Sequence, residues 1–147
     1  MADRGYFTPR GRLLRIITAA HRATYRLSGG RLGGSARGMP TLLLTTTGRK
    51  TGQAHTVPLP FHRDGDDMVV IASFAGGPKH PAWYLNLSAT PDVTVQYRGR
   101  QFAARATTVE GDARADLWAR LVNAHPWYGD YQARTEREIP LVALSQS

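Results

Sequence analysis

Residues 41–52 hold the pattern that restricts the fold most. Thr41 to Thr47 reads TLLLTTT, a short apolar and β-branched run, and the glycine-bounded pentapeptide Gly48-Arg49-Lys50-Thr51-Gly52 follows it directly. Branched side chains of this kind suit a pleated strand, and two glycines at the ends of five residues supply the backbone freedom of a tight turn. A strand that reverses this quickly runs antiparallel to its successor, because a parallel crossover needs about a dozen residues or more. The next segment, Gln53 to His62, alternates, with Val57, Leu59 and Phe61 on one face. Pro58 and Pro60 confine it to an edge or bulged strand, since neither can donate to a ladder.

The same grammar recurs along the chain. Arg63-Asp64-Gly65-Asp66 closes a second turn, and Met68 to Ser73 reads as a strand buried on both faces. Gly76-Gly77-Pro78-Lys79 is a loop, and Pro81 to Ala89 is a short helix with Pro81 at its first position and Pro91 beyond its end. Val93 to Tyr97 and Gln101 to Val109 alternate around Arg98-Gly99-Arg100, a further hairpin. Residues 112–124 place Leu117, Trp118, Leu121 and Val122 on one helical face, and Pro126 opens a helix carrying Trp127, Tyr128 and Tyr131. Ile139 to Leu144 is the last strand. About six strands joined mostly by hairpins, with short helices between them, predict an α+β, mainly β fold: a small antiparallel barrel rather than a parallel α/β sheet.

Charge divides the chain into two parts. Residues 1–40 carry eight arginines against one acid, Asp3, whereas residues 41–147 carry eleven basic and ten acidic side chains. The basicity therefore belongs to a leader and not to the body, which argues against a nucleic-acid groove across the domain. Between Arg12 and Leu27, Leu13, Ile16, Ile17, Ala20, Ala23, Thr24 and Leu27 share one helical side, while Arg12, Arg15, Arg22 and Arg26 gather on another. Such an amphipathic helix either packs on the protein's own core or lies on an anionic membrane surface through residues 1–30; an Arg-rich targeting leader is the third reading. A glycine-rich connector follows, so the predicted division is residues 1–40, helix and connector, and residues 41–147, barrel.

Several chemistries are excluded. The chain has no cysteine, and its five histidines never stand at metal-ligand spacing. It contains no ATPase-type phosphate loop, no strand-linked dinucleotide fingerprint and no hydrolase nucleophile elbow. No apolar run approaches the ~20 residues of a spanning helix, and no secretory signal is present. The cytoplasm is the expected compartment, with peripheral attachment to the inner face of the cell membrane as the alternative.

Three segments carry chemistry. Arg49 and Lys50 place two cations in a turn where backbone can approach an anion, although taken alone the pair is better explained as a solvated turn. Gly76 to Pro81 leads into a helix N-terminus, whose free N–H groups and dipole favour negative charge, or serves as an ordinary cap. Tyr128 and Tyr131, three residues apart, share a helix face and form either core or the wall of a pocket.

Taken in order, these residues resemble the deazaflavin (coenzyme F-420)-dependent nitroreductase and quinone reductase family of actinobacteria and archaea. The likeness runs from Tyr25 to Gly34, then Leu42 to Gln53 with its GRKTGQ string, Pro58 and Leu59, Val69 to Ser73 with Gly76 and Gly77, the HPAWYLNL string from His80 to Leu87, Pro91 to Gln96, and Pro126 to Pro140. It implies a split β-barrel related to the flavin-mononucleotide-binding barrels. It also implies that Arg49, Lys50, Thr51 and Gln53 hold the coenzyme's phosphate and acidic tail, and that Pro58, Leu59, Ala72 and Ser73 lie against the deazaflavin ring. Gly76, Gly77, Lys79, His80, Trp83 and Asn86 would complete the site around the phosphate and ribityl chain. Tyr128, Tyr131 and Ser73 are then the expected catalytic groups, with a quinone or nitro compound as acceptor, FMN as a poorer coenzyme and no metal. The alternatives are a non-catalytic barrel holding a fatty acid, haem or flavin, and a basic peripheral membrane protein.

Overall fold

The computed structural model describes residues 35–36 and 38–147. The amphipathic leader helix and most of the glycine-rich connector lie outside the described residues. Seven strands form one antiparallel sheet: β1 (Ser35–Ala36), β2 (Met39–Thr47), β3 (Ala54–Asp64), β4 (Asp67–Ile71), β5 (Asp92–Tyr97), β6 (Arg100–Thr108) and β7 (Leu141–Gln146). They run in the order β1-β2-β3-β4-β7-β6-β5, and β5 pairs back onto β2, so six strands close a barrel and β1 is a short addition to β2. Among the described residues three α-helices decorate it: α1 (Ala82–Ala89), α2 (Gly111–Ala124) and α3 (Trp127–Ala133).

Closure follows from the side-chain period of two. Leu42 and Leu44 of β2, Phe61 of β3, Met68 and Val70 of β4, Val93 and Val95 of β5, Ala104 and Ala106 of β6 and Val142 and Leu144 of β7 fill one core, with Leu87 of α1 added. The intervening Val69 and Ile71 of β4 and Leu141 of β7 point the other way, into a second core. There they meet Met39, Leu117 and Leu121 of α2, Tyr128 of α3 and Ile139. The continuous apolar run of β4 is thereby explained, because one face lines the barrel and the other receives the helices.

The two prolines of β3 sit where the pattern requires. Pro58 and Pro60 pair with Leu43 and Thr41 of β2, whereas β3 meets β4 only from Phe61 onward, so both prolines occupy a stretch with one sheet neighbour.

Other boundaries move. Pro81 and Pro126 are N-caps and not first helical residues, β2 begins two residues earlier at Met39, and the last strand starts at Leu141. Ile139 belongs to the second core ahead of that strand, and the Pro140 carbonyl accepts the Ala72 N–H at 3.0 Å, tying the end of β4 to the start of β7.

Candidate active site

The β2–β3 turn is built by its own backbone. Gly48 N–H donates to the Gln53 carbonyl at 2.7 Å, and Gly52 N–H to the Gly48 carbonyl at 2.8 Å, with Gly52 at φ 74°. Asn86 of α1 fixes this turn from the side. Its Oδ1 accepts the Arg49 N–H at 3.2 Å and Arg49 Nη1 at 3.0 Å, and its Nδ2 donates to Thr46 Oγ1 at 3.2 Å. Asn86 is only 5% exposed, so it acts as a clip between helix and turn. Beside the clip opens a cavity of about 370 Å³ lined by Arg49, Lys50, Thr51, Trp83, Asn86 and, from β3, His55.

A second element approaches from β4. Phe74, Ala75 and Gly76 form a single 3-10 turn in which all three residues are left-handed, at φ 46°, 53° and 81°. For the two residues with side chains this conformation costs roughly 1–2 kcal/mol each, and such strain persists only where surrounding contacts over-determine it. Gly76 is required on two grounds. A Cβ there would lie 2.7 Å from the Tyr131 carbonyl and 3.0 Å from Arg134 Cβ, at the C-terminal end of α3.

Arg137, between α3 and β7, holds the loop. Its Nε donates to the Gly77 carbonyl at 2.9 Å, its Nη1 to the Ala72 carbonyl at 3.1 Å and its Nη2 to the Ser73 carbonyl at 2.9 Å. The same Nη1 stands 3.1 Å from His80 Nδ1, and the His80 ring packs on Tyr84 with centroids 5.0 Å apart.

The expected site residues thus fall into two neighbouring sets joined at the start of α1. Arg49, Lys50, Thr51, Trp83 and Asn86 surround the cavity; Ala72, Ser73, Gly77 and His80 gather on Arg137, Gly76 lies against the Tyr131 carbonyl and Arg134, and Lys79 is exposed. Gln53 serves the turn through its carbonyl, and its N–H donates to Thr51 Oγ1 at 3.2 Å. Pro58 is exposed on β3, and Leu59 is half-buried against the barrel core.

The tyrosines divide. Tyr128 is 4% exposed in the second core, and its hydroxyl donates to Met39 Sδ at 3.5 Å. Tyr131 is half-buried, edge-on to Tyr128 at 5.8 Å. Their shared face therefore buries Tyr128 and leaves Tyr131 beside Gly76.

Two residues escaped the sequence reading. Arg137 acts on backbone carbonyls, which have no signature in side-chain spacing. Phe74 is 63% exposed, the exposed large apolar side chain among the described residues, and its ring stands over Gly77. A large aromatic between a strand and a glycine pair was the available signal for it.

His62, His80 and His125 all titrate below the ordinary value of 6.5. Burial is the main cause for each. Arg120 adds to it at His62 against the opposing Asp64, Arg137 adds to it at His80, and His62 adds to it at His125. A depressed folded-state pKa means that the unfolded chain binds more protons below about 6.5, so stability present at neutral pH is lost on acidification. The melting temperature is expected to be level above about pH 7 and to fall as the pH drops from about 6.5 to 5; a level curve down to pH 5 would contradict these burials.

A solved F-420-H2 dependent reductase shares the fold at a TM-score of 0.65 and 38% identity, over 72% of this chain and 94% of that one. The haem storage protein HutZ of Vibrio cholerae matches at a TM-score of 0.51 and 18% identity, over 73% of this chain and 81% of its own, a likeness of fold alone. Barrel and neighbours define the class, a split β-barrel. The model of the F-420H(2)-dependent quinone reductases matches residues 17–146. An F-420H(2)-dependent quinone reductase of Mycobacterium tuberculosis is 42% identical over 131 residues, 86% of this chain and 87% of its own. The chain belongs to the F-420H(2)-dependent quinone reductase family.

Proposed function

We propose that this chain is an F-420-dependent reductase that passes hydride from the reduced coenzyme to a quinone, with its site at the junction of the β2–β3 turn, the 72–80 loop and the start of α1. The observation that carries the reading is the cavity beside the basic turn. Arg49, Lys50 and Lys79 pair with no carboxylate among the described residues, so their charge is available to an anion. Lys79 and His80 also keep backbone N–H groups without a protein acceptor there. A phosphate with an acidic tail fits such a donor set, whereas the described residues contain no cluster that would hold a metal.

In this reading Arg49, Lys50, Thr51 and Gln53 bind the anionic chain, Lys79 and His80 meet the phosphate, and Trp83 closes the cavity side. Pro58 and Leu59 give the flat ring an apolar flank, whereas Ala72, fully buried, supports the loop from behind and cannot touch the ring as the sequence suggested. The bound coenzyme supplies the hydride and the protein supplies position. Ser73, whose hydroxyl has no partner among the described residues, delivers the proton directly or through water. Tyr131 and Phe74 shape the acceptor space. Titration with F-420, FMN, NADPH and haem tests the assignment: F-420 should bind most tightly, and equal binding of FMN would remove the tail contacts.

Tyr128 supports Tyr131 from behind, since its hydroxyl lies on Met39. Tyr128→Phe should therefore cost stability, about 1 kcal/mol or less for a weak sulfur hydrogen bond, and leave turnover within about twofold. A loss of tenfold or more in kcat at unchanged coenzyme affinity would make Tyr128 the proton donor after all.

The leader holds the enzyme at its acceptor's membrane. No described helix is long and apolar enough to cross a bilayer, so attachment rests on the arginines and apolar stripe of residues 1–30. Deleting them should leave reduction of a water-soluble quinone intact and abolish co-sedimentation with anionic vesicles; high salt should weaken that co-sedimentation in the full chain. A deletion variant that melts earlier, with a full-length protein that ignores vesicles, would instead make the leader part of the core. Reduction of nitro compounds is proposed as a secondary activity of the same site.

A further inference from the structure

The 72–80 loop has a conformation that its own sequence does not favour. Two residues with side chains, Phe74 and Ala75, are left-handed in succession, and Gly76 extends the left-handed run. Ordinary turn chemistry would place glycine or asparagine at such positions. The loop is nonetheless held at Ala72, Ser73, Gly77 and His80 by the guanidinium of Arg137, and at Ala72 also by its N–H on the Pro140 carbonyl.

That guanidinium is itself held. The Arg137 carbonyl accepts Gln132 Nε2 at 2.7 Å, and Gln132 Oε1 accepts the Ile139 N–H at 2.9 Å, so one side chain of α3 fixes the strand-entry segment on both sides of the arginine. Arg134 adds a longer contact from Nη1 to the Ala75 carbonyl at 3.4 Å. Among the described residues Arg137 pairs with no carboxylate. Its partners among the described residues are three carbonyls and a ring nitrogen, which a planar fork with five donors suits where an ammonium would not.

The contact with His80 has a chemical consequence. A guanidinium has no acceptor, so Nδ1 of His80 must accept, and the imidazole is neutral with its proton on Nε2. The other ring nitrogen of His80, Nε2, is then a hydrogen-bond donor. Burial and the adjacent Arg137 charge both disfavour its protonation, and the remaining neighbour on its ring face is the aromatic ring of Tyr84.

We propose that Arg137 is a positioning residue of the coenzyme site: its guanidinium sets the 72–80 loop and locks His80 as the neutral Nε2–H tautomer, so that this side of the site offers donors to an anionic chain. The inference rests on the reading that the loop is part of the coenzyme site. It gives the enzyme a charge that works through the loop and touches neither coenzyme nor acceptor.

The test uses the full-length chain with Arg137→Lys and Arg137→Ala. Nitrogen-15 spectra of the coenzyme-free wild type should show His80 as the Nε2–H tautomer, and Arg137→Lys should convert it to a tautomer mixture. F-420 affinity should fall by about tenfold or more in both variants, as expected for lost charge-assisted contacts, while the quinone KM at saturating coenzyme stays within about twofold. Guanidinium chloride at millimolar, non-denaturing concentration should restore part of the affinity of Arg137→Ala, with sodium chloride at the same ionic strength as control. Should Arg137→Ala fail to fold, Arg137→Lys carries the test through tautomer and affinity. Unchanged affinity and tautomer in a folded Arg137→Lys would overturn the proposal while leaving the proposed function standing. A wild-type protein that does not bind F-420 would overturn the function itself.

Discussion

Gly76→Ala is expected to be the most damaging glycine-to-alanine change among the described residues. The new Cβ would stand 2.7 Å from the Tyr131 carbonyl and 3.0 Å from Arg134 Cβ, and the residue would have to keep φ at 81°. The conformation alone costs about 1–2 kcal/mol in a residue with a Cβ, and forcing a methyl onto backbone adds about 1–3 kcal/mol. A total near 2–5 kcal/mol corresponds to a drop of roughly 5–15 °C in melting temperature for a chain of this size. The carbonyl cannot swing aside, because it accepts the Arg134 N–H at 3.1 Å. F-420 affinity should fall as well, since the loop and the end of α3 would be pushed apart. A melting temperature within about 2 °C of wild type would show that the loop is not packed as described.

The second large effect is expected from replacing Arg49 and Lys50 together with alanine. Arg49 contributes both a charge and one of the two contacts that Asn86 Oδ1 accepts at the turn; the other comes from its backbone N–H and survives the substitution. The turn should thus keep its shape while losing its cations. Charge-assisted contacts to the coenzyme's tail predict a loss of about 1–3 kcal/mol, or roughly 5- to 150-fold in Kd, and a weaker dependence of affinity on salt. Stability should hardly move, because neither side chain is paired with a carboxylate in the described structure. If the double variant binds F-420 as wild type does, the turn is a solvated surface feature and the tail must lie elsewhere.

The barrel was legible because its signals are local. TLLLTTT followed by a glycine-bounded turn, the paired prolines of β3 and the doubly apolar run of β4 each state a strand and its environment in a few residues. The basic turn was legible for the same reason, as two cations between glycines. The tyrosine pair was legible only as a face: spacing put Tyr128 and Tyr131 together, but not which of them the second core would bury, since that depends on Met39, Val69 and Ile71 arriving from far along the chain. Arg137 left no trace in the sequence pattern, because its partners are carbonyls at 72, 73 and 77 that any residue would provide. The left-handed run at Phe74 and Ala75 was equally hidden, as nothing in either residue type favours that conformation.

The most direct measurement is stopped-flow oxidation of the reduced coenzyme bound to the full-length protein, mixed with a menaquinone analogue and followed at the deazaflavin absorbance. Saturable, single-exponential oxidation that is fast in the wild type, and that loses its dependence on protein concentration only above the coenzyme Kd, is the predicted result. The Arg49→Ala, Lys50→Ala double variant should need far more protein to reach the same rate. Tight F-420 binding with no oxidation above the protein-free rate would contradict the account, leaving a barrel that holds a deazaflavin without using it.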